Sequence, residues 1–398
     1  MNSSEKLRHV QEQLTDNKID GWLFYDFRRT NPLACTFLEI PLNQLLTRRF
    51  FYWLPKQGTP VKIIHCIEKH ALDHLPGQSL EYCTWQELEA CLAQVLKESD
   101  NIAMEYSPRN AIPYLSKVDA GTIELVRSFG VNVMSSGDLL QQYTSVWNEK
   151  KLRSHLSAAE VLDQTAAKTW SFIAENLAQG HQLTEYDVQQ YMLEQFDRAG
   201  CLTDDPPICA VNAHSANPHY TPSKENSELI KMGDFILIDL WCKQSHTDAV
   251  YADITRVGIA ATQPKERQRE IFNVVKHAQT AATTFVKKHL EQKIPVKGCD
   301  VDDVCRQVIK DAGYEKYFIH RTGHNIDRSD HGDGANIDNF ETQDVRKLLP
   351  GTCFSIEPGI YLPNEFGVRL EYDVYIHFDG RIQVTGGVQE SITCLFNR

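Results

Sequence analysis

Apolar positions follow two patterns along this chain, and the change between them falls near Asn148. Before about Val146 the pattern is mixed. Leu7, Val10 and Leu14 recur at helical spacing, and the apolar runs at 21–25 (GWLFY), 50–54 (FFYWL) and 61–64 (VKII) read as strands. From Asn148 the order is helix, helix, strands, and then the same again. A long helical stretch at 149–177 stops before Gly180, and Thr184 with Asp187 forms a capping box for a second helix ending near Gly200. Strands are expected at 207–211, 234–241 and 249–258. The second round opens at Thr262-Gln263-Pro264, with Pro264 suited to the first helical turn, and runs to about Gln292. Asp300 caps a short helix ending at Gly313, and strands near 317–319, 352–361 and 367–378 complete the round. With 398 residues the chain exceeds what one core usually serves. The expected fold class is α/β in the broad sense (α+β): a smaller mixed N-terminal domain at 1–147, then a larger domain at 148–398 of two pseudo-symmetric halves.

Acidic residues interrupt these apolar runs. Asp239 ends the run 235–238, Glu357 follows Phe354-Ser355-Ile356, and Glu371 follows Val368-Arg369-Leu370. A single acid in such a place is ordinarily solvated or caps a turn. The set is different, because Asp239 to Asp253 and Glu357 to Glu371 are both intervals of 14 and the flanks are apolar. Two antiparallel arms would bring each pair to the same level of a hairpin. Four carboxylates then converge, which divalent cations between them make tolerable. With His324 as a further ligand, the group reads as a two-metal hydrolase site. Carboxylates with one imidazole suit manganese first, with cobalt, zinc or iron as alternatives, and exclude a thiolate–zinc centre.

Composition narrows the class. With 42% hydrophobic and 24% charged residues the chain is an ordinary globular sequence, and no apolar run reaches membrane length. The opening MNSSEKLRHVQEQL lacks the apolar core of a secretory signal, so a cytoplasmic location is expected. A net charge of −12 disfavours nucleic acid as the main partner. The 11 cysteines are scattered and odd in number, which argues against a disulfide framework and for buried small hydrophobes. His65, His70 and His74 lie close together but face no second cluster in sequence, so they read as surface or packing residues.

The segments GDFILIDL…ADITRVG, HRTGHNID…DHG, FSIEPGIY and GVRLEYDV follow one another from about Asn148 to the C-terminus. In that order they resemble the signatures of the M24 metallopeptidases, the pita-bread family of methionine aminopeptidases, Xaa-Pro aminopeptidases and prolidases. The first 147 residues resemble the creatinase-type N-terminal domain of its longer members, which commonly contributes to dimerisation and narrows the substrate entrance. The resemblance implies a dinuclear peptidase cleaving Xaa-Pro bonds, either an aminopeptidase or a dipeptidase, acting on small peptides with proline second as a homodimer. By that match Asp253 and Glu371 bridge two divalent metals, Asp239 is the further ligand of one, and His324 with Glu357 those of the other. A hydroxide between the metals would attack, with Glu357 moving its proton to the leaving amine. His219, in NPHYTP, corresponds to a histidine that binds substrate, and His331 to one that helps hold the scissile carbonyl. His320 and Arg369 correspond to residues around the leaving-group pocket or supporting the ligands.

Departures from the family pattern touch specificity. Many members read HGTGHGIGLxVHE where this chain has HRTGHNIDRSDHG, so Arg321, Asn325 and Asp327 replace small residues and could narrow the pocket or carry a carboxylate toward a substrate amine. The interval of 14 between Asp239 and Asp253 exceeds the family's usual spacing by about three residues, lengthening the turn from Lys243 to Asp248. Asp327, Asp330, Asp333 and Asp338 lack the order of a calcium loop and read as a solvated loop. Two other functions remain open. A creatinase-like amidinohydrolase fits less well because the metal ligands are retained, and a pita-bread protein acting on another amide or serving as a binding module is the alternative of a different class.

Overall fold

The helical spacing of Leu7, Val10 and Leu14 forms α1 (Ser3–Asp16), which buries Val10 and Leu14 fully. The computed structural model describes residues 3–396 and separates into two units, Met1–Thr144 and Ser145–Arg398. In the first, six strands form one sheet: β1 (Gly21–Asp26), β2 (Phe50–Pro55), β3 (Val61–His65), β4 (Gln78–Tyr82), β5 (Asn101–Met104) and β6 (Asn132–Ser135), in the order β4-β3-β2-β1-β5-β6. The apolar runs of β1 and β2 are nearly continuous because both faces of these central strands are covered. Trp22, Phe24, Phe50 and Tyr52 face one core with α1, α2 (Pro32–Phe37) and α5 (Gly137–Thr144). Leu23, Tyr25, Phe51 and Trp53 alternate onto the other, against α3 (Trp85–Leu96) and α4 (Ala120–Ser128).

Cys66 and Cys83, at the ends of β3 and β4, form a disulfide, contrary to the expectation from cysteine count. The parallel register sets His65 beside Tyr82 and so brings the next residues together, which spacing alone does not reveal. The other nine cysteines are free and mostly buried. His65 caps a short turn through Ile67 N, His70 contacts Asp73, and His74 contacts the Leu38 carbonyl.

The second unit opens with α6 (Glu149–Ala178), capped by Asn148, and α7 (Glu185–Arg198), whose Thr184–Asp187 capping box forms as expected. Then come β7 (Cys201–Leu202), β8 (Ile208–Val211), β9 (Phe235–Gln244) and β10 (Ala252–Ile259). The second round is α8 (Glu266–Glu291), α9 (Gly298–Asp311), β11 (Asn325–Ile326), β12 (Cys353–Ile356), β13 (Gly359–Leu362), β14 (Phe366–Arg369), β15 (Tyr372–Ile376) and β16 (Ile382–Thr385), with β17 (Thr393–Cys394) returning to β10. One core joins α8 and α9 to β12–β15, and another joins α6 and α7 to β8–β10.

Several boundaries differ from expectation. Pro264 precedes the Lys265 cap of α8 instead of lying in its first turn, and α9 is capped at Lys297, leaving Asp300 inside its first turn. The strand expected at 317–319 does not form: residues 315–317 make a 3-10 turn and 318–319 follow without regular structure. The expected long strands at 352–361 and 367–378 are each broken, at Glu357-Pro358 and at Leu370-Glu371. Proline supplies no backbone N–H to continue a ladder, which accounts for the first break.

Candidate metal centre

Register decides which acids meet. In the second hairpin the pairs Cys353–Tyr375, Ile356–Tyr372, Gly359–Arg369 and Leu362–Phe366 all sum to 728, and Glu357 with Glu371 gives the same sum. These two glutamates therefore stand at one level, at the break between the two ladder segments. In the first hairpin Asp239 pairs with Thr255 and Asp253 with Trp241, so the aspartates are diagonal neighbours two residues out of register. The equal intervals of 14 thus give level pairing in one arm only, because the turns differ in length. Asp239 and Asp253 still share a face, since side chains alternate with period two.

The donor atoms of Asp253, His324 and Glu371 lie within 4.8 Å of one another, and all three residues are buried. Glu357 joins them, with Oε1 3.4 Å from His324 Nε2, while Asp253 Oδ2 is 3.7 Å from the same nitrogen. Asp239 reaches the group through Thr255, whose hydroxyl is 2.6 Å from Asp239 Oδ1 and 2.6 Å from Glu371 Oε2. One hydroxyl carries one proton, so it can donate to only one of these carboxylates. The Arg369 guanidinium donates to Asp239 and to Thr255, and lies 3.4 Å from the Tyr361 hydroxyl. Tyr361 in turn meets His320 Nε2 at 2.7 Å, and His320 Nδ1 meets the Arg321 carbonyl at 2.6 Å. Both ring nitrogens of His320 are thus engaged. Arg369 and His320 stand behind the acids as a supporting network, where the sequence reading left open a pocket-lining role.

His331 lies against His324 with ring centroids 4.1 Å apart and the rings tilted, and Arg321 donates to its Nδ1 at 3.3 Å. His219 is exposed, on the segment after the 3-10 turn Asn212–Ala216, and close enough to His331 to affect its charge. That segment is held by Glu185, a fully buried carboxylate that accepts from Val211 N, Glu228 N and the Tyr220 hydroxyl and contacts His214 Nδ1. The other substituted positions are structural. Asn325 donates to the Cys353 carbonyl and accepts from Gly334 N, and Asp327 accepts from Lys151 and the Trp147 indole. The loop read as solvated is therefore partly buried: Asp338 accepts from three successive backbone amides, 340–342.

Two acids near the centre were not among the sequence candidates. Asp373 is buried, accepts from Asp253 N at 2.9 Å and follows Glu371 by two residues, a same-face spacing that could have marked it. Asp330 precedes His331 and turns its carboxyl to Asp253.

Electrostatics follow from this crowding. Burial first, then neighbouring acids, raises Asp253 and Glu371 well above the carboxylate range, and burial pushes Glu357 up to about 7 against the pull of Arg369 and Arg321. Burial, then His331 and Arg321, lowers His324 well below its usual value. Asp253 Oδ1 and Glu371 Oε1 are shielded from solvent and have no hydrogen-bond donor. Buried acceptors in that state call for a proton or a cation. Oxygen donors and one imidazole, with no thiolate among them, fit divalent manganese, cobalt, iron or zinc. A cavity of about 1160 Å3 lies elsewhere in this unit, lined by Leu290, Ile294 and Phe378, and contains none of these acids.

Residues 154–377 match the model of metallopeptidase family M24. An uncharacterized peptidase of Staphylococcus aureus (strain MRSA252) is 30% identical over 267 residues, 65% of this chain and 67% of the relative. Among solved structures, the dipeptidase PepE from Mycobacterium ulcerans aligns with a TM-score of 0.66 at 20% identity, over 99% of this chain and 98% of that one. The Xaa-Pro dipeptidase from Bacillus anthracis aligns at 0.58 and 20%, over 99% and 100%. The chain belongs to metallopeptidase family M24. Its mixed α/β architecture is the pita-bread fold expected from the sequence motifs. No helix among the described residues is long and apolar enough to cross a membrane.

Proposed function

We propose that this chain is a dinuclear Xaa-Pro peptidase, an aminopeptidase or a dipeptidase, acting on small peptides with proline second. The observation that carries the metal reading is the convergence of Asp253, His324 and Glu371, with two carboxylate oxygens shut from water and lacking donors. In this reading Asp253 and Glu371 would serve both of two divalent cations, Asp239 would help hold one, and His324 with Glu357 would help hold the other. When bound, such cations bring a water toward ionisation at neutral pH and place positive charge beside a developing oxyanion. Manganese is the first metal to test, given the predominance of carboxylates.

The chain's own residues supply the rest. Glu357, at the level of Glu371 and beside His324, takes and returns the proton that must reach the leaving amine. His331 faces the scissile carbonyl, and His219 lies on the approach to it. Arg369 and His320 act through Asp239 and Tyr361, fixing the ligand side of the leaving-group pocket. Proline after the scissile bond presents no amide hydrogen, so selection for it rests on ring shape and on a tertiary amide. The first 147 residues are read as the creatinase-type domain and the protein as a homodimer, both on the resemblance of the motifs.

Matched peptides test the specificity. Metal-loaded protein should hydrolyse Ala-Pro peptides much faster than Ala-Ala peptides, and chelation should remove both activities. Equal rates on the two, with metal confirmed in place, would leave a metallopeptidase and remove the proline preference.

A further inference from the structure

We infer that Asp330 is an additional carboxylate ligand of the cation held at Asp253, His324 and Glu371, an inference that rests on the metal-binding reading above. The Asp330 carboxyl lies within hydrogen-bonding reach of the Asp253 carboxyl. Its Oδ1 is shielded from solvent and has no donor, and neither does Asp253 Oδ1. Asp253 is itself only 4% exposed. Two carboxylates in contact without a donor between them are held together by a shared proton or by a cation. The cation is the natural agent here, because the donor atoms of His324, Asp330 and His331 also lie within 4.8 Å of one another. His324 therefore lies beside Asp330 as well as beside Asp253 and Glu371, with His331 acting as a hydrogen-bond partner of Asp330 and not as a ligand.

The neighbours of Asp330 fix which oxygen does what. A guanidinium only donates, so Arg321, 3.3 Å from His331 Nδ1, makes that nitrogen an acceptor and places the proton of the neutral ring on Nε2. Nε2 lies 3.5 Å from Asp330 Oδ2. Oδ2 of Asp330 thus faces His331 while Oδ1 is left buried without a donor, an arrangement that orients a ligand carboxylate. The Asp330 backbone carbonyl also approaches the His324 ring, tying the loop to the same centre. Asp327, three residues earlier, cannot take this place, since Lys151 and Trp147 occupy its oxygens. The family pattern given above has valine where Asp330 stands, so the extra oxygen donor is a property of this chain.

Manganese titration of metal-free protein by calorimetry, for wild type, Asp330→Asn, Asp330→Ala and Asp330→Glu, tests the assignment without an activity measurement. The Asn and Ala variants should bind one manganese roughly 10- to 100-fold more weakly, and Glu should retain most of the affinity. Thermal unfolding of the metal-free forms controls for damage to the fold. Equal affinities in all four proteins would overturn the inference while leaving the metal site in place. Equal affinities together with a KM raised only for peptides with a free amino terminus, and not for N-acetylated ones, would make Asp330 an anchor for the substrate amine instead. A wild type that binds no manganese, cobalt, zinc or iron would remove the metal reading itself and this inference with it.

Discussion

Arg369 donates a hydrogen bond from its guanidinium to the Asp239 carboxylate, and both residues are only 6% exposed. Burial opposes the charge of Arg369, but Asp239, Tyr361, Glu371 and Glu357 together raise its pKa well above the usual arginine value. The arginine thus neutralises one acid of the centre from behind while Thr255 holds the other oxygen. Removing one partner of a buried pair leaves an uncompensated charge. Arg369→Ala should therefore destabilise the metal-free protein by about 3–5 kcal/mol, and added manganese should recover much of the loss by binding Asp239. Denaturant unfolding with and without metal measures both effects. Unchanged stability in the metal-free variant would show that the pair contributes nothing.

Substitution of the ligands should divide by position. Asp253→Ala and Glu371→Ala should lose both metals, because each acid faces the whole group, whereas Asp239→Ala should mainly weaken one. Elemental analysis after gel filtration gives the metal content directly. Two tightly held metals in Asp253→Ala or Glu371→Ala would contradict a bridging role for that residue.

Much of this centre was legible in the sequence, and the exceptions have physical causes. The 149–177 stretch and the Thr184–Asp187 box gave two helices with accurate starts, since capping is a local hydrogen-bond pattern that spacing records. Asp239, Asp253, Glu357 and Glu371 stood out because a buried carboxylate is costly wherever it lies. What spacing could not supply was register: Asp239 opposes Thr255, and that offset is set by the turn between β9 and β10. Asp330 was hidden for another reason. A run of polar residues with scattered aspartates reads as solvated loop, and only the folded backbone shows one of them turning inward while Asp327 and Asp338 serve the core.

The buried acids of the metal-free centre should contribute to stability in the direction opposite to ordinary acid denaturation. Burial raises Glu357 from 4.5 to about 7, and Asp330 from 3.8 to about 7 with Asp239 and Glu357 adding to it. A carboxyl with a raised folded pKa keeps its proton where the unfolded chain has lost it, so its contribution is full below the unfolded value. That contribution is lost as the pH rises through the folded value. Relative to a Glu357→Gln, Asp330→Asn double variant, wild-type stability without metal should therefore fall between about pH 4 and 7, a comparison that cancels the opposite trend from the buried neutral His155, His320, His324 and His331, whose pKa values are lowered. Metal binds the ionised forms, so the gain from manganese should grow across the same window. Thermal unfolding in both states, stepped through that range, reads the difference. A difference in melting temperature between the metal-free wild type and the double variant that grows in favour of wild type toward neutrality would contradict the sign.

Glu357 and His331 separate proton transfer from metal binding. Glu357→Gln preserves shape and one oxygen donor but removes the base, so turnover should drop by roughly 10²–10⁴-fold with some metal still bound. The Gln side chain can still accept from Ser355, whose hydroxyl is 3.2 Å from Glu357 Oε1, so the local backbone should hold. His331 carries two contacts, Arg321 on Nδ1 and Asp330 on Nε2, and neither is a metal ligand in the five-residue set of Asp239, Asp253, His324, Glu357 and Glu371. His331→Ala should accordingly lower turnover while the five-residue set keeps its metals. Steady-state kinetics on the best Xaa-Pro peptide, paired with metal content for each variant, distinguishes the two roles. Wild-type turnover in His331→Ala would return that ring to packing against His324, and full turnover in Glu357→Gln would move the proton relay to another group.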